Sequence, residues 1–202
     1  NPSSAASDVY KRQVLENNLI LVDCESPGVT ISEIPTIDTT RPVVEVVFDS
    51  VDFEIIPGGK DAIQKTIGAG RVLLAADILG ASANMINSAV EYSLERKQFN
   101  RVIGSFQSVK HMCAEMAADL EPCKSLLWYA AYAQDNIQEE GDLLSCHVKA
   151  HLSEVGQDTA RVSTQVFGGM GFTDLLGMHY WFKRIGLNLS LIHISEPTRL
   201  GF

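Results

Sequence analysis

The sequence predicts a mainly α protein: a four-helix up-down bundle preceded by the last strands of a β-domain. Three observations carry this. Before residue 60 the apolar segments are short, β-branched and bounded by turn formers. After it, apolar residues recur at helical spacing over long stretches. The links between those stretches are short, which favours antiparallel neighbours.

The ends are set aside first. Asp8-Val9-Tyr10-Lys11-Arg12-Gln13 and Leu189-Ser190-Leu191-Ile192-His193-Ile194 can be encoded by complementary strands of one DNA segment. Such a pair resembles the inverted transposon end used in preparing sequencing libraries. Residues 1–13 and 189–202 are therefore expected to be adapter-derived tails that contribute nothing to the fold. The expected domains are 14–60, the end of a β-domain, and 61–188, the helical bundle. On this reading the chain is a slice of a longer protein.

In the first domain, Leu19–Asp23, Val29–Ile34, Val43–Phe48 and Val51–Ile56 read as strands, and Ser26-Pro27-Gly28 as the turn between the first two. Pro57-Gly58-Gly59 closes the segment. A first helix is expected from about Ala62 to Lys97, with Val72, Ala75, Ala76, Leu79, Ala83, Ile86, Val90 and Leu94 at helical spacing. A second runs from about Phe106 to Glu139, interrupted and bent at Pro122. Glu140-Gly141-Asp142 reads as the turn that ends it and caps a third helix, Leu143 to Phe167. Gly168-Gly169-Met170-Gly171 breaks that helix, and a short fourth follows from about Leu175 to Ile185.

A formal charge of -9 without a basic cluster argues against a nucleic-acid surface. No apolar run approaches the roughly 20 residues that span a bilayer. Cys24, Cys113, Cys123 and Cys146 form no CxxC pair, so they read as free thiols in a reducing compartment. His147 and His151 share a helix face but lack the glutamate of an HExxH site, so no metal is expected.

Two segments carry chemistry. Tyr92–Gln107 gathers Arg96, Gln98, Phe99, Phe106 and Gln107 at the join between the first two helices. An arginine can pair a pyrophosphate, and aromatic rings can pack on an adenine or a flavin. A charged helix end beside two core phenylalanines is the competing reading. Gln165–Phe172 carries glycines that let a ligand approach the backbone, although helix ends use glycine for other reasons.

Taken together, the pattern YxxERxQF…FQ followed by a helix ending in QVxGGxGF resembles the acyl-CoA dehydrogenase family. Arg41–Val51 and the segments from Leu19 to Val29 resemble the last strands of that family's middle domain, so the resemblance covers roughly Leu19 to Ile185. It implies an oxidoreductase with FAD as cofactor, α,β-desaturation of an acyl-CoA thioester, and electrons passed to an electron-transferring flavoprotein. It implies FAD contacts at Arg96, Gln98, Phe99, Phe106, Gln107 and Val109, and at Gln165, Gly168 and Gly169 on the adenosine-pyrophosphate side. Arg71 matches an arginine near the acyl-CoA site. A homotetramer or homodimer is implied, because such residues often reach a neighbouring subunit's flavin. The implied compartment is bacterial cytoplasm or mitochondrial matrix.

The sequence departs from the family at two points. Asn100 stands where glycine is usual. The catalytic base is expected in a segment beyond Asn188; the other family position, just before Arg71, is Gly70, leaving Asp174 as a remote candidate and Glu95 within the flavin-side motif. Two alternatives stay open. One is an acyl-CoA oxidase or flavin monooxygenase on the same scaffold; the other is a non-catalytic subunit of a heteromeric flavoprotein.

Overall fold

The computed structural model describes residues 10–15 and 18–191. The chain divides into two compact units: one runs up to residue 36 and takes in 41–67, the other combines 37–40 with the chain from 68 onward. The division falls within the first helix rather than at residue 60. Residues 1–9 and 192–202 of the expected tails lie outside the described residues. Tyr10–Gln13 belong to the first strand, and Leu189 and Ser190 to the last helix.

In the first unit, β1 (Tyr10–Leu15), β2 (Asn18–Asp23) and β5 (Glu54–Ile56) form an antiparallel sheet with β2 in the middle. The β2 pattern sends Leu19, Ile20 and Val22 into burial. β3 (Val29–Ile34) pairs antiparallel with β4 (Val43–Phe48), from Val29 opposite Phe48 to Ile34 opposite Val43. Gly28 is required at this pair's mouth: its φ is +96°, and a Cβ would sit 2.2 Å from the Asp49 carbonyl oxygen. The expected strand from Val51 shortens to Glu54–Ile56.

The helices are α1 (Gly59–Glu95), α2 (Gln107–Asn136), α3 (Gln138–Phe167) and α4 (Met178–Ser190). Cross-contacts fix their directions in the second unit. Along α1, Gly68 faces Gln134, which bonds Gly141; Ile78 faces Gly156; and Tyr92 stacks on Phe167. α1 and α3 therefore run parallel. Met116 of α2 meets Ser163 of α3, so α2 runs the other way. Ile185 of α4 reaches Gly156, completing an up-down bundle. The core is a stripe of Val72, Ala75, Ile78, Met85 and Ala89 against Met116, Leu120, Val148, Leu152 and Ile185. Burying one such leucine or isoleucine contributes about 1.5–3 kcal/mol.

Three sequence expectations are corrected by this packing. α2 runs unbroken through Pro122, whose exposed position lets the ring sit outside the core. The α2–α3 corner is at Ile137, not at Glu140-Gly141-Asp142. The Ile137 N–H bonds the Ala133 carbonyl, and the Ile137 carbonyl accepts from Glu140 and Gly141, so one residue ends α2 and starts α3. Gly141 serves this corner from inside α3: a Cβ there would meet the Ala133 carbonyl at 3.1 Å. α4 begins at Met178 rather than Leu175, because Gly177 adopts φ +67°.

α1 is also long and apolar enough to cross a bilayer by length and composition, contrary to the sequence reading. One apolar stripe of it, from Val72 to Ala89, is buried against the other helices of the bundle, while Leu73 and Leu94 stay exposed. A polar network ties α1 to α4. Arg184 makes a two-pronged pair with Asp77 (Nε to Oδ2 3.0 Å, Nη2 to Oδ1 2.7 Å) and donates to Thr40 Oγ1 at 3.1 Å. Asn188 Nδ2 also donates to Asp77 Oδ2. Hydrogen bonding to Asp77 raises the Arg184 pKa and keeps the guanidinium charged.

Candidate functional site

After α1 the chain makes a two-residue hairpin that the sequence reading did not foresee. β6 (Lys97–Gln98) pairs with β7 (Arg101–Val102), and Phe99 and Asn100 form the turn. Their φ values are +52° and +62°, the pair of positive values that such tight hairpins use. Asparagine tolerates this region, so Asn100 in place of glycine keeps the turn. The hairpin's base is pinned by the Ile103 N–H, which donates to the Arg96 carbonyl at 2.8 Å. Gly104 lies against the last turn of α1, where a Cβ would meet Ser93 Oγ at 2.9 Å.

Phe99 is the strained member of the turn. A left-handed conformation costs a side-chain-bearing residue about 1–2 kcal/mol. It is nevertheless 87% exposed. Its ring meets Phe106 edge to face at 6.1 Å between centroids, and the Arg101 guanidinium lies 3.9 Å from the centre of the Phe106 ring. An aromatic pair contributes about 0.5–1.5 kcal/mol and an exposed cation–π contact about 0.5–1 kcal/mol. The ring pair, the contact that Phe99 itself makes, offsets part of the strain, and Arg101 acts on it through Phe106.

The second predicted segment closes α3. Gly168 takes φ +59° and ψ -140°, a conformation only glycine adopts readily. The chain then makes a short 3-10 turn through Phe172. A Cβ at Gly168 or Gly169 would meet nothing within 4 Å, so both glycines border open space. Gly171 differs: a Cβ there would meet Phe167 and Thr164 at 3.1 Å.

The fold brings the two segments together. Arg96, Gln98, Gly168 and Gly169 line one open pocket of about 380 Å³, with Tyr92, Ile103, Val166, Phe167 and Met170. Tyr92 and Phe167 stack with centroids 4.4 Å apart and planes 13° from parallel. Among the described residues the Arg96 guanidinium has no carboxylate partner. Such a pocket offers an unpaired cation, an amide side chain, apolar faces and approachable backbone, the donor set for an anionic dinucleotide.

The remaining predicted residues fall elsewhere. Phe106 precedes α2, Gln107 begins it and hydrogen-bonds His111 at 2.8 Å, and Val109 packs partly buried against the core. Gln165 is exposed on the last turn of α3, outside the pocket lining. Arg71 lies on α1, about 37 Å along the helix from Arg96 at 1.5 Å per residue. It pairs with Asp142 at 3.0 Å. Asp174 pairs with His179 Nε2 at 3.1 Å, and Glu95 is exposed at the end of α1. Tyr92, Phe167 and Met170 lie inside the two motif segments, yet nothing in their spacing marked them as pocket lining. No group of three or more histidine, cysteine or acidic side chains able to hold a metal occurs among the described residues.

The family model for the acyl-CoA dehydrogenase C-terminal domain matches residues 58–191. The chain belongs to the acyl-CoA dehydrogenase family. It is 34% identical over 163 residues to the short-chain specific acyl-CoA dehydrogenase of Clostridium acetobutylicum, covering 79% of this chain and 41% of that protein. It is 29% identical over 187 residues to a subunit of the caffeyl-CoA reductase–Etf complex of Acetobacterium woodii, covering 88% of this chain and 48% of that protein. The fold matches that of glutaryl-coenzyme A dehydrogenase with a TM-score of 0.81 at 21% identity, over 87% of this chain and 46% of that one. The chain thus spans about half the length of these two relatives. The matched span begins one residue before α1 and ends one residue after α4, so the family assignment rests on the helical bundle.

Proposed function

We propose that this chain supplies the FAD-binding helical part of an acyl-CoA dehydrogenase, an oxidoreductase that introduces an α,β double bond into an acyl-CoA thioester. The observation that carries this is the convergence of Arg96, Gln98, Gly168 and Gly169 on one pocket floored by the Tyr92–Phe167 stack. The residues fit the cofactor. Arg96 offers a pyrophosphate a guanidinium that has no carboxylate partner among the described residues, and the glycines leave the space that a Cβ would fill open to a ligand. Phe99, exposed in spite of a strained backbone, is suited to packing on a ring system supplied from outside its own chain.

The chemistry that bound FAD would supply is acceptance of a hydride from the β-carbon of the thioester. This chain's part is to hold the dinucleotide. Removal of the α-proton needs a base, and no carboxylate of this chain is assigned that role. Asp174 is engaged with His179, and Glu95 is outside the pocket lining. Arg71 keeps its assignment to the acyl-CoA side only if the substrate displaces Asp142. The cost of that exchange is small, since an exposed ion pair contributes about 0–1 kcal/mol. Exchange of electrons with an electron-transferring flavoprotein is supported by the Etf-complex relative.

The test is FAD titration of the chain, followed by flavin fluorescence. Arg96→Ala is expected to weaken binding about 10- to 100-fold, the loss of a charge-assisted contact of about 1.5–3 kcal/mol. Unchanged affinity in that variant would sink the assignment of Arg96 and, with it, the pocket.

A further inference from the structure

We propose that Arg101 is a cofactor-positioning residue: its guanidinium, lying on the Phe106 ring, holds the Phe99–Phe106 pair in the arrangement that receives the flavin dinucleotide. This rests on the FAD reading above. Arg101 belongs to neither set of residues that the family resemblance assigns.

Arg101 packs on an aromatic ring. Among the described residues it has no ion pair or side-chain hydrogen bond, and its described contact is the Phe106 ring, 3.9 Å from guanidinium carbon to ring centre. It is the cross-strand partner of Gln98 in the hairpin, and Gln98 lines the pocket. The residues between them, Phe99 and Asn100, are both held at positive φ. A hairpin of two-residue strands has few backbone bonds to hold such a turn. Phe99 gains its hold from the edge-to-face contact with Phe106. Phe106 is only partly buried, so its ring orientation depends on what covers it. Arg101 covers it, and a cation over a ring face is attractive as well as space-filling. The chain of contact runs from Arg101 to Phe106 to Phe99, which lie outside the pocket lining but adjoin it through Gln98, the neighbour of Phe99 and cross-strand partner of Arg101, so Arg101 acts on the ligand through the hairpin it steadies.

Arg101→Ala, Phe106→Leu and the double variant would be compared in the FAD titration, with Arg96→Ala as reference and thermal melts as a check on folding. Arg101→Ala is expected to weaken FAD binding about three- to fivefold while lowering the melting temperature by no more than about 2–4 °C. Arg101→Lys, which keeps the cation, is expected to restore most of that loss, and Arg101→Gln to restore little. In the double variant the two losses should not multiply: its affinity should match that of Phe106→Leu alone within a factor of about two, because both changes break one chain of contact. Multiplying losses would show Arg101 touching the ligand directly and overturn the positioning role. So would normal affinity in Arg101→Ala when Arg96→Ala is impaired. Failure of the unaltered chain to take up FAD, or normal affinity in both Arg96→Ala and Phe106→Leu, would instead overturn the flavin reading and this proposal with it.

Discussion

The middle and the end of α3 both use glycine, for opposite reasons. Gly156 sits where α1, α3 and α4 crowd together, and a Cβ there would lie 2.5 Å from Ile78 Cγ2 and 3.4 Å from Ile185 Cγ2. Gly168 and Gly169, about three turns on, face space that no atom of the described chain fills. The first glycine lets the protein approach itself, while the second pair leaves room for something else. A sequence cannot tell these uses apart, because the residue type is the same.

Three substitutions sharpen that contrast. The largest effect on stability should come from the core side of α3, where Lys149 is 1% exposed and its ammonium donates to Ser153 Oγ at 3.1 Å, with no carboxylate partner among the described residues. Burial lowers its pKa from the ordinary lysine value. Lys149→Met is expected to stabilise the chain by about 1–3 kcal/mol at pH 7, since an apolar side chain of similar length avoids burying the charge. The sign of the pH effect follows. With the folded pKa below the unfolded one, the unfolded chain binds more protons in the window between them, so stability rises with pH there. The advantage of Lys149→Met should therefore shrink as pH climbs toward the unfolded lysine value. Urea denaturation at neutral and alkaline pH measures this, and a constant difference between the two proteins would refute it.

Gly156→Ala comes next. Alanine favours helix over glycine by about 1 kcal/mol. The new methyl, however, meets a β-branched side chain that is fully buried and has no room to turn, and overpacking of this kind costs about 1–3 kcal/mol. A net loss of about 1 kcal/mol is expected, seen as a lower urea midpoint with no change in FAD affinity beyond that due to unfolding. A gain in stability would show that Ile78 yields more easily than its packing implies.

The smallest stability effect belongs to Gly169→Ala. Its backbone is not in the left-handed region and its Cβ position is open, so stability should stay within about 0.5 kcal/mol. FAD affinity should nonetheless fall roughly tenfold, because the methyl enters the pocket. A variant that binds FAD normally would mean that no ligand passes over this glycine.

Much of this molecule was legible beforehand. The long proline-free run predicted α1, the β-branched segments predicted β2, β3 and β4, and the two motif segments named four of the pocket's residues, Arg96, Gln98, Gly168 and Gly169. Hydrophobic period and turn chemistry are local properties, and they survive into the fold wherever packing agrees with them. The α2–α3 corner was misplaced because Gly141 reads as a helix stop, whereas tertiary crowding against Ala133 and Gln134 is what requires it. Pro122 was overread for a related reason: an exposed proline in a helix held by its other face need not end it.

The sequence by itself determined the helical class, the order of the four helices and of the strands from β2 to β5, the family and the residue types available for a dinucleotide, because these depend on composition and short-range pattern. Only the tertiary structure decided that α1 and α3 run parallel, so that Tyr92 meets Phe167 and a motif at the end of one helix faces a motif at the end of another. Only it showed Arg101 lying on Phe106 and Arg71 tied to Asp142. Those contacts depend on where distant turns bring side chains in space, and no local pattern encodes that.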